Sequence, residues 1–332
     1  RLLEVWHKRD AAVDFGSSPR PGYVSNIWKD ASAYNFLSGG WRYTTTDPAL
    51  AKWSRVAPKM VATGHEEGGQ WLLELPRTVD GHPPPLGSPS HIVNVANGQE
   101  YQLGYFNSTN ESWTPWAQHV TSKTELGPDA GWFGGSRVQG RTMNIGWAVW
   151  GIEKSAKASG PSVGATGLPT VRPPAAAGER LTVLREMKYD PRLPGMVSSP
   201  IAELAALRNG TLANESTVTL APGRPFAVGG TSGGAAASSD VLARFRLPDG
   251  NASFGLCVLS DAGATVGVAV TIHVAGSAGA RSGVASIGRC GEVAAHDGNQ
   301  SWAHGEFKVL EDESQVDLRV LTDRSIVEAF VS

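Results

Sequence analysis

Charge of either sign is scarce in this chain. Only 18% of its 332 residues are Asp, Glu, Lys or Arg, and 29 basic against 31 acidic residues leave a formal charge of −2. That balance offers no basic footprint for nucleic acid and no acidic tail, so a partner held by bulk charge is not expected. Long apolar runs are missing too. No stretch approaches the roughly 18 uninterrupted apolar residues of a membrane span, so no span is expected. Cysteine is limited to Cys257 and Cys290, with no Cys-X-X-Cys pair. The eight histidines (His7, His65, His82, His91, His119, His273, His296 and His304) are scattered, with no pair at ligand spacing, and read as surface or turn residues. No Gly-rich loop leads from a strand into a helix with Lys-Ser/Thr, and no strand-to-helix turn suits a serine nucleophile elbow. Metal, cofactor and nucleotide chemistry are therefore not predicted.

What is present is aromatic, Gly-rich and punctuated. The chain has 40 Gly, 21 Pro and 11 Trp, and 41% of its positions are apolar, dispersed as in a folded protein. Its length exceeds what one core usually serves, which predicts two domains. Trp faces are the usual stacking surface for small polar rings such as sugars. Six of the eleven Asn (Asn107, Asn110, Asn209, Asn214, Asn251 and Asn299) stand in Asn-X-Ser/Thr sequons, an excess that predicts passage through a secretory lumen. In that compartment Cys257 and Cys290 are free to form one disulfide, with two buried thiols as the alternative. The opening Arg1-Leu2-Leu3-Glu4-Val5-Trp6 and the closing run Ile326 to Ser332 both read as interior to a longer chain.

Short apolar runs alternate with Gly, Pro, Asn and Asp throughout: Tyr34 to Leu37, Trp71 to Leu75, His91 to Val95, Tyr101 to Phe106, and later Val241 to Leu247, Thr265 to Val274 and Val316 to Leu321. Strand-length segments with turn signals between them describe an all-β protein. One helical segment is expected, Pro200 to Arg208, at a domain junction. Residues 153–179 turn to Ala, Gly, Ser and Pro, as in a surface insertion. The longer strands after Asn214 suit two antiparallel sheets packed face to face. No period of 40 to 50 residues repeats, although the strands before Pro200 would fill about three propeller blades.

Among titratable groups, Glu74 stands out because it lies in the apolar run Trp71-Leu72-Leu73-Glu74-Leu75-Pro76. A carboxyl group desolvated by Trp and Leu favours its acid form, as a general acid requires. The competing reading is that alternation points Glu74 to water.

The C-terminal run Asp317-Leu-Arg-Val-Leu-Thr-Asp323-Arg-Ser-Ile-Val-Glu328-Ala-Phe330 closely resembles the "LRVLVDRSIVEAF" strand of glycoside hydrolase family 32, the invertases, inulinases, levanases and fructosyltransferases. Further segments resemble the family in the same order: Asp47 to Trp53 its "DLxxW" turn, Tyr101 to Phe106 and Asp129 to Phe133 the strands ending in "DYGxFYA", Gly140 to Trp147 "GRRILWGW", and Leu181 to Arg208 "PREL…PVEELESLR". The resemblance implies an incomplete five-bladed β-propeller over 1–208 and a β-sandwich over 209–332, truncated at its C-terminus. It implies retaining cleavage of β-fructofuranosidic bonds in sucrose or fructans, in a secreted or vacuolar protein.

In that family an Asp in "WMNDPNG" attacks, an Asp in "RDP" holds fructosyl hydroxyls and a Glu in "ECP" protonates the leaving oxygen. Glu74-Leu75-Pro76 maps onto "ECP", whereas a gapless alignment from Trp71 puts Leu72 at the acid position. Trp28-Lys29-Asp30-Ala31 stands where "FRDP" would, which makes Asp30 the hydroxyl-gripping carboxylate. Trp147, Trp132 and Asp129 are candidate pocket residues. No "NDPNG" is present. Leu2 to Trp6 resembles the "PLLxxW" stretch that follows the early blades, so the nucleophile is expected upstream of Arg1. The alternative is a protein that binds fructosides without cleaving them; a related propeller enzyme acting on arabinose polymers is a third reading.

Overall fold

The computed structural model describes residues 25–29, 32–38, 40–56, 60, 69–70, 72–96, 100–107, 109–110, 112–117, 122–123, 130–148, 180–193, 195–228, 238–260, 267–277, 279–290, 303–323 and 326–332. The chain divides into two units: Arg1–Glu125 with Asp129–Ser199, and Leu126–Pro128 with Pro200–Ser332. The sequence reading set the junction after Arg208; the residues between Ser199 and that point are mainly a short helix.

Among the described residues, the first unit holds three five-stranded sheets, each formed from strands nearly consecutive in the chain. The first comprises β1 (Ser25–Lys29), β2 (Tyr34–Ser38), β3 (Trp41–Thr45), β4 (Ser54–Val56) and β5 (Gly69–Gln70), in the order β1-β2-β3-β4 with β5 also on β2. Its core is aromatic. Phe36 stacks on Tyr43 at 4.8 Å between ring centroids, and Trp53 meets Phe36 edge-on at 4.7 Å. The Asp47–Trp53 turn explains itself: the Asp47 carboxylate accepts the Ala49 and Ala51 N–H groups at 2.9 and 3.1 Å, and the Trp53 indole donates to the Leu50 carbonyl at 2.8 Å.

The second sheet comprises β6 (Leu72–Glu74), β7 (His91–Ala96), β8 (Glu100–Asn107), β9 (Ser112–Pro115) and β10 (Ser122–Lys123), in the order β10-β8-β7-β6 with β9 also on β8. The third comprises β11 (Ala130–Val138), β12 (Arg141–Ala148), β13 (Arg180–Leu181), β14 (Arg185–Tyr189) and β15 (Met196–Pro200), in the order β11-β12-β14-β15 with β13 also on β12. The second sheet is covered on both faces. Leu72 and Val93 pack with Leu37 of the first sheet, while Leu73, Ile92, Tyr101 and Leu103 pack with Met187 and Tyr189 of the third. The period-2 alternation of β6 makes this possible, sending Leu72 to one neighbour and Leu73 to the other.

A repeat that sequence reading missed lies in the second strand of each sheet. Asn35 in β2, Asn94 in β7 and Asn144 in β12 are all buried. Arg42 donates to the Asn35 side-chain oxygen Oδ1 at 2.8 Å, and buried Arg185 is the cross-strand partner of Asn144. The intervals between these Asn are unequal, so no fixed period marks them.

The second unit opens with a 3₁₀ helix, Ala202–Leu207, in place of the helix of about two turns expected over Pro200–Arg208. None of its residues is buried and its N-terminus has no side-chain cap, so nothing rewards a longer α-helix. Two sheets follow. One is β16 (Ser238–Arg246), β21 (Gln315–Asp323) and β22 (Ile326–Val331); the other is β17 (Ala252–Val258), β18 (Val268–Ala275), β19 (Ser282–Arg289) and β20 (Ala303–Lys308). Val316, Leu318 and Val320 of β21 share one core with Val270, Ile272 and Val274 of β18, which is the alternation of a β-sandwich. A Cys257–Cys290 disulfide ties β17 to the residue after β19, with Cα atoms 5.7 Å apart, and decides the question of pairing left open by the sequence.

Candidate active site

Glu74 is the last residue of β6 and is exposed, between buried Leu73 and Leu75. The desolvation that its apolar neighbours in sequence imply is therefore not present. Leu72 is buried at 6% exposure on the same strand face, two residues inward. One face thus runs from core to surface within three residues.

The structure brings three side chains to Glu74's face that the sequence reading did not select. His91 opens β7 directly opposite Glu74, and Gly104 of β8 lies opposite His91. Phe106, two residues on, pairs with Trp113 of β9. The His91 ring is set from two sides: Nδ1 lies 2.8 Å from the Ser90 hydroxyl, and the Phe106 ring meets it edge-on at 5.5 Å. Ser90 is held in turn, its hydroxyl oxygen accepting the Phe106 N–H at 3.3 Å. Gly104 is required. A Cβ there would lie 2.6 Å from the Trp113 ring and 2.5 Å from the Thr114 carbonyl oxygen, so the bare backbone is the seat of the indole. A lone Gly inside an otherwise regular strand was the signal available in the sequence.

Burial lowers the His91 imidazole from its ordinary 6.5, and the facing Glu74 carboxylate works against that shift. Near neutrality Glu74 consequently faces a neutral ring.

Of the other candidate residues, Asp30 and Asp129 lie outside the described residues. Asp30 directly follows β1, whose Lys29 ammonium sits 4.9 Å from the centre of the Tyr34 ring. The backbone of Trp132 lies in β11, at the register irregularity between Ala130 and Phe133. That of Trp147 lies in β12, opposite Leu181. No group of three metal-ligating side chains occurs among the described residues. No helix of the described residues is long and apolar enough to cross a membrane.

Residues 203–332 match the profile of "Glycosyl hydrolases family 32 C terminal". That match covers the strands of the second unit and leaves the three sheets of the first outside it. No curated protein sequence matches the chain. Among solved structures, the chain is similar to fructan 1-exohydrolase IIa from Cichorium intybus, with 13% identity, a TM-score of 0.62, and coverage of 98% of this chain and 67% of that one. It is also similar to sucrose-6-phosphate hydrolase from Lactobacillus gasseri, with 14% identity, a TM-score of 0.54, and coverage of 92% and 58%. A family 32 β-fructofuranosidase from Bombyx mori gives 14%, 0.51, 98% and 62%. At these identities the likeness is one of fold. The chain spans about two thirds or less of the length of each of those enzymes.

Proposed function

We propose that this chain is the greater part of a retaining glycoside hydrolase acting on β-fructofuranosidic bonds of sucrose or fructans. The observation that carries the reading is the family 32 C-terminal domain on residues 203–332, joined to a chain whose fold is similar over 98% of its length to a fructan exohydrolase. In this reading the three sheets of the first unit are three blades of a five-bladed propeller. Glu74 is the acid/base, Asp30 grips the fructosyl hydroxyls, and Trp147, Trp132 and Asp129 contribute to the sugar pocket. Exposure suits an acid/base that meets substrate from solvent. The acid donates its proton to the departing glycosidic oxygen as a second carboxylate attacks the anomeric carbon; the resulting carboxylate then takes a proton from the water that releases fructose. The chain has no Asn-Asp-Pro-Asn-Gly segment, so the attacking carboxylate is assigned to sequence outside these 332 residues. Exposed Asn107, Asn110, Asn209, Asn214 and Asn251 suit a secreted or vacuolar glycoprotein.

Burial of Leu72 against Leu37 and Val93 favours a second reading, in which the position after Trp71 has lost its acid and the protein binds fructosides without cleaving them. Glu74→Gln in the full-length protein separates the two. In the hydrolase reading turnover of sucrose or inulin falls by about 10² to 10⁴-fold with the fold unchanged, the usual worth of one general acid. Wild-type turnover in that variant removes Glu74 from the chemistry, and a wild-type protein that binds but never cleaves establishes the second reading.

A further inference from the structure

Six of the eleven large apolar side chains that are exposed among the described residues fall in one run of the second unit: Leu207, Leu212, Val218, Leu220, Phe226 and Val228. Within residues 207–228 every position but Ala213 is exposed, and none joins a sheet. The backbone is open as well, since a Cβ added at Gly210 or Gly223 would meet nothing within 4 Å. Charge does little to keep the run wet. Arg208 is bonded to Asp240, and the other charged residues there are Glu215 and Arg224. An apolar run this exposed needs a cover.

The same run carries two of the six sequons, Asn209-Gly210-Thr211 and Asn214-Glu215-Ser216. They differ from the other described sequons in what the Asn side chain does. The Asn107 side-chain oxygen accepts the Thr109 N–H at 2.9 Å, that of Asn110 accepts the Ser112 hydroxyl at 2.8 Å, and that of Asn251 accepts the Gly276 N–H at 3.0 Å. Each of those three is accounted for by the turn it helps to build. Asn209 and Asn214 are exposed and make no hydrogen bond to any described residue, so nothing in the fold explains an Asn at either place. Asn299 lies outside the described residues.

We propose that Asn209 and Asn214 are N-glycosylated and that their two glycans are the cover of this run. The inference rests on the secretory reading and goes beyond it by naming the sites and what they do. In the modification Asn Nδ2 bonds to the anomeric carbon of an oligosaccharide carried on a lipid pyrophosphate. The C–O bond to the pyrophosphate breaks, the pyrophosphate leaves with the electron pair, and Nδ2 gives up a proton. Thr211 and Ser216 supply the hydroxyl that a sequon requires. The two Asn bracket Leu212, with Leu207 and Val218 just outside them, so bulky hydrated chains rooted there spread over the nearer apolar side chains. The chain then reverses at Pro222-Gly223, where the Arg224 N–H donates to the Ala221 carbonyl at 3.1 Å, and the Phe226 limb heads back toward Asn214.

The test uses the full-length protein secreted from a eukaryotic host. Peptide N-glycosidase in heavy-oxygen water converts each glycan-bearing Asn to a labelled Asp, and peptide mass spectrometry is expected to find the label at both Asn209 and Asn214. The double variant Asn209→Gln with Asn214→Gln is expected to bind a dye for apolar surface severalfold more than wild type, and to scatter light at concentrations where wild type does not, with its thermal melt unchanged. Thr211→Ala with Ser216→Ala removes both sequons while keeping both Asn, and serves if the Gln pair is not secreted. Label at other sequons but missing from Asn209 or Asn214 would overturn the proposal while the secretory reading stands; no label anywhere would end both. Two occupied sites whose loss leaves dye binding and scattering at the wild-type level would overturn the glycans' role as a cover.

Discussion

His91 illustrates what single residues reveal only in three dimensions. In the sequence it is one of eight scattered histidines; in the fold its strand register puts it opposite Glu74, and Ser90 and Phe106 hold its ring. Burial lowers its pKa, so between the folded value and the ordinary 6.5 the unfolded chain binds a proton that the folded chain does not. Stability therefore falls as pH drops through that window and is unaffected by this group above it. His91→Gln is predicted to flatten this part of the pH dependence, read from urea midpoints at pH 7.5 and pH 5; an unchanged slope between wild type and variant would exclude the assignment. The exposure of Glu74 was one of two readings open to the sequence, because alternation and a desolvated acid use the same residues. The three buried Asn were not legible at all, since polar residues in short strands read as outward-facing until a partner such as Arg42 is seen beside them.

At the scale of elements, strands were easier to read than the junction between units. Apolar alternation identified β7, β8, β18 and β21 directly, whereas the Pro200–Arg208 run has helical composition without a face to bury. Within the second unit, the end of that run is tied to β16 and β21 by charge. Arg208 donates from Nε and Nη2 to Asp240 Oδ2 at 2.9 and 2.6 Å, and Arg319 of β21 donates to both Asp240 carboxylate oxygens at 2.9 and 2.8 Å. Burial alone would raise the Asp240 pKa, but the hydrogen bonds from Arg319 and Arg208 together outweigh it and hold the group below its ordinary 3.8. The contribution is present above that ordinary value and is lost as pH falls through the folded one. Asp240→Asn is expected to destabilise the C-terminal unit by about 1.5–3 kcal/mol at pH 7, the range for hydrogen bonds to a charged group, and by much less at pH 2. Chemical denaturation at the two pH values checks this; equal losses at both would show that the carboxylate charge is not what the arginines need.

For the whole molecule, the all-β class and the C-terminal sandwich were legible, because period-2 alternation and turn residues survive in a single sequence. The pattern of side-chain contacts that stacks the first three sheets was not. Its contacts join residues far apart, such as Leu73 with Met187, and no fixed repeat announces them. The Cys257–Cys290 disulfide closes a loop with a sequence separation of 33 in the second unit. Loop-closure entropy at that length makes Cys257→Ser about 3–4 kcal/mol less stable in denaturant unfolding, and reducing agent should bring wild type to the variant's midpoint. An unaltered midpoint under reduction would argue against that pairing.

The activity of the whole protein is tested most directly by comparing two leaving groups in the full-length Glu74→Gln variant. A general acid matters where the departing oxygen is a sugar alcohol and hardly at all where it is p-nitrophenolate, which leaves without a proton. The account predicts that kcat/KM falls about 10² to 10⁴-fold on sucrose and stays near wild type on p-nitrophenyl β-fructofuranoside. Equal loss on both substrates, or no loss on either, would contradict it.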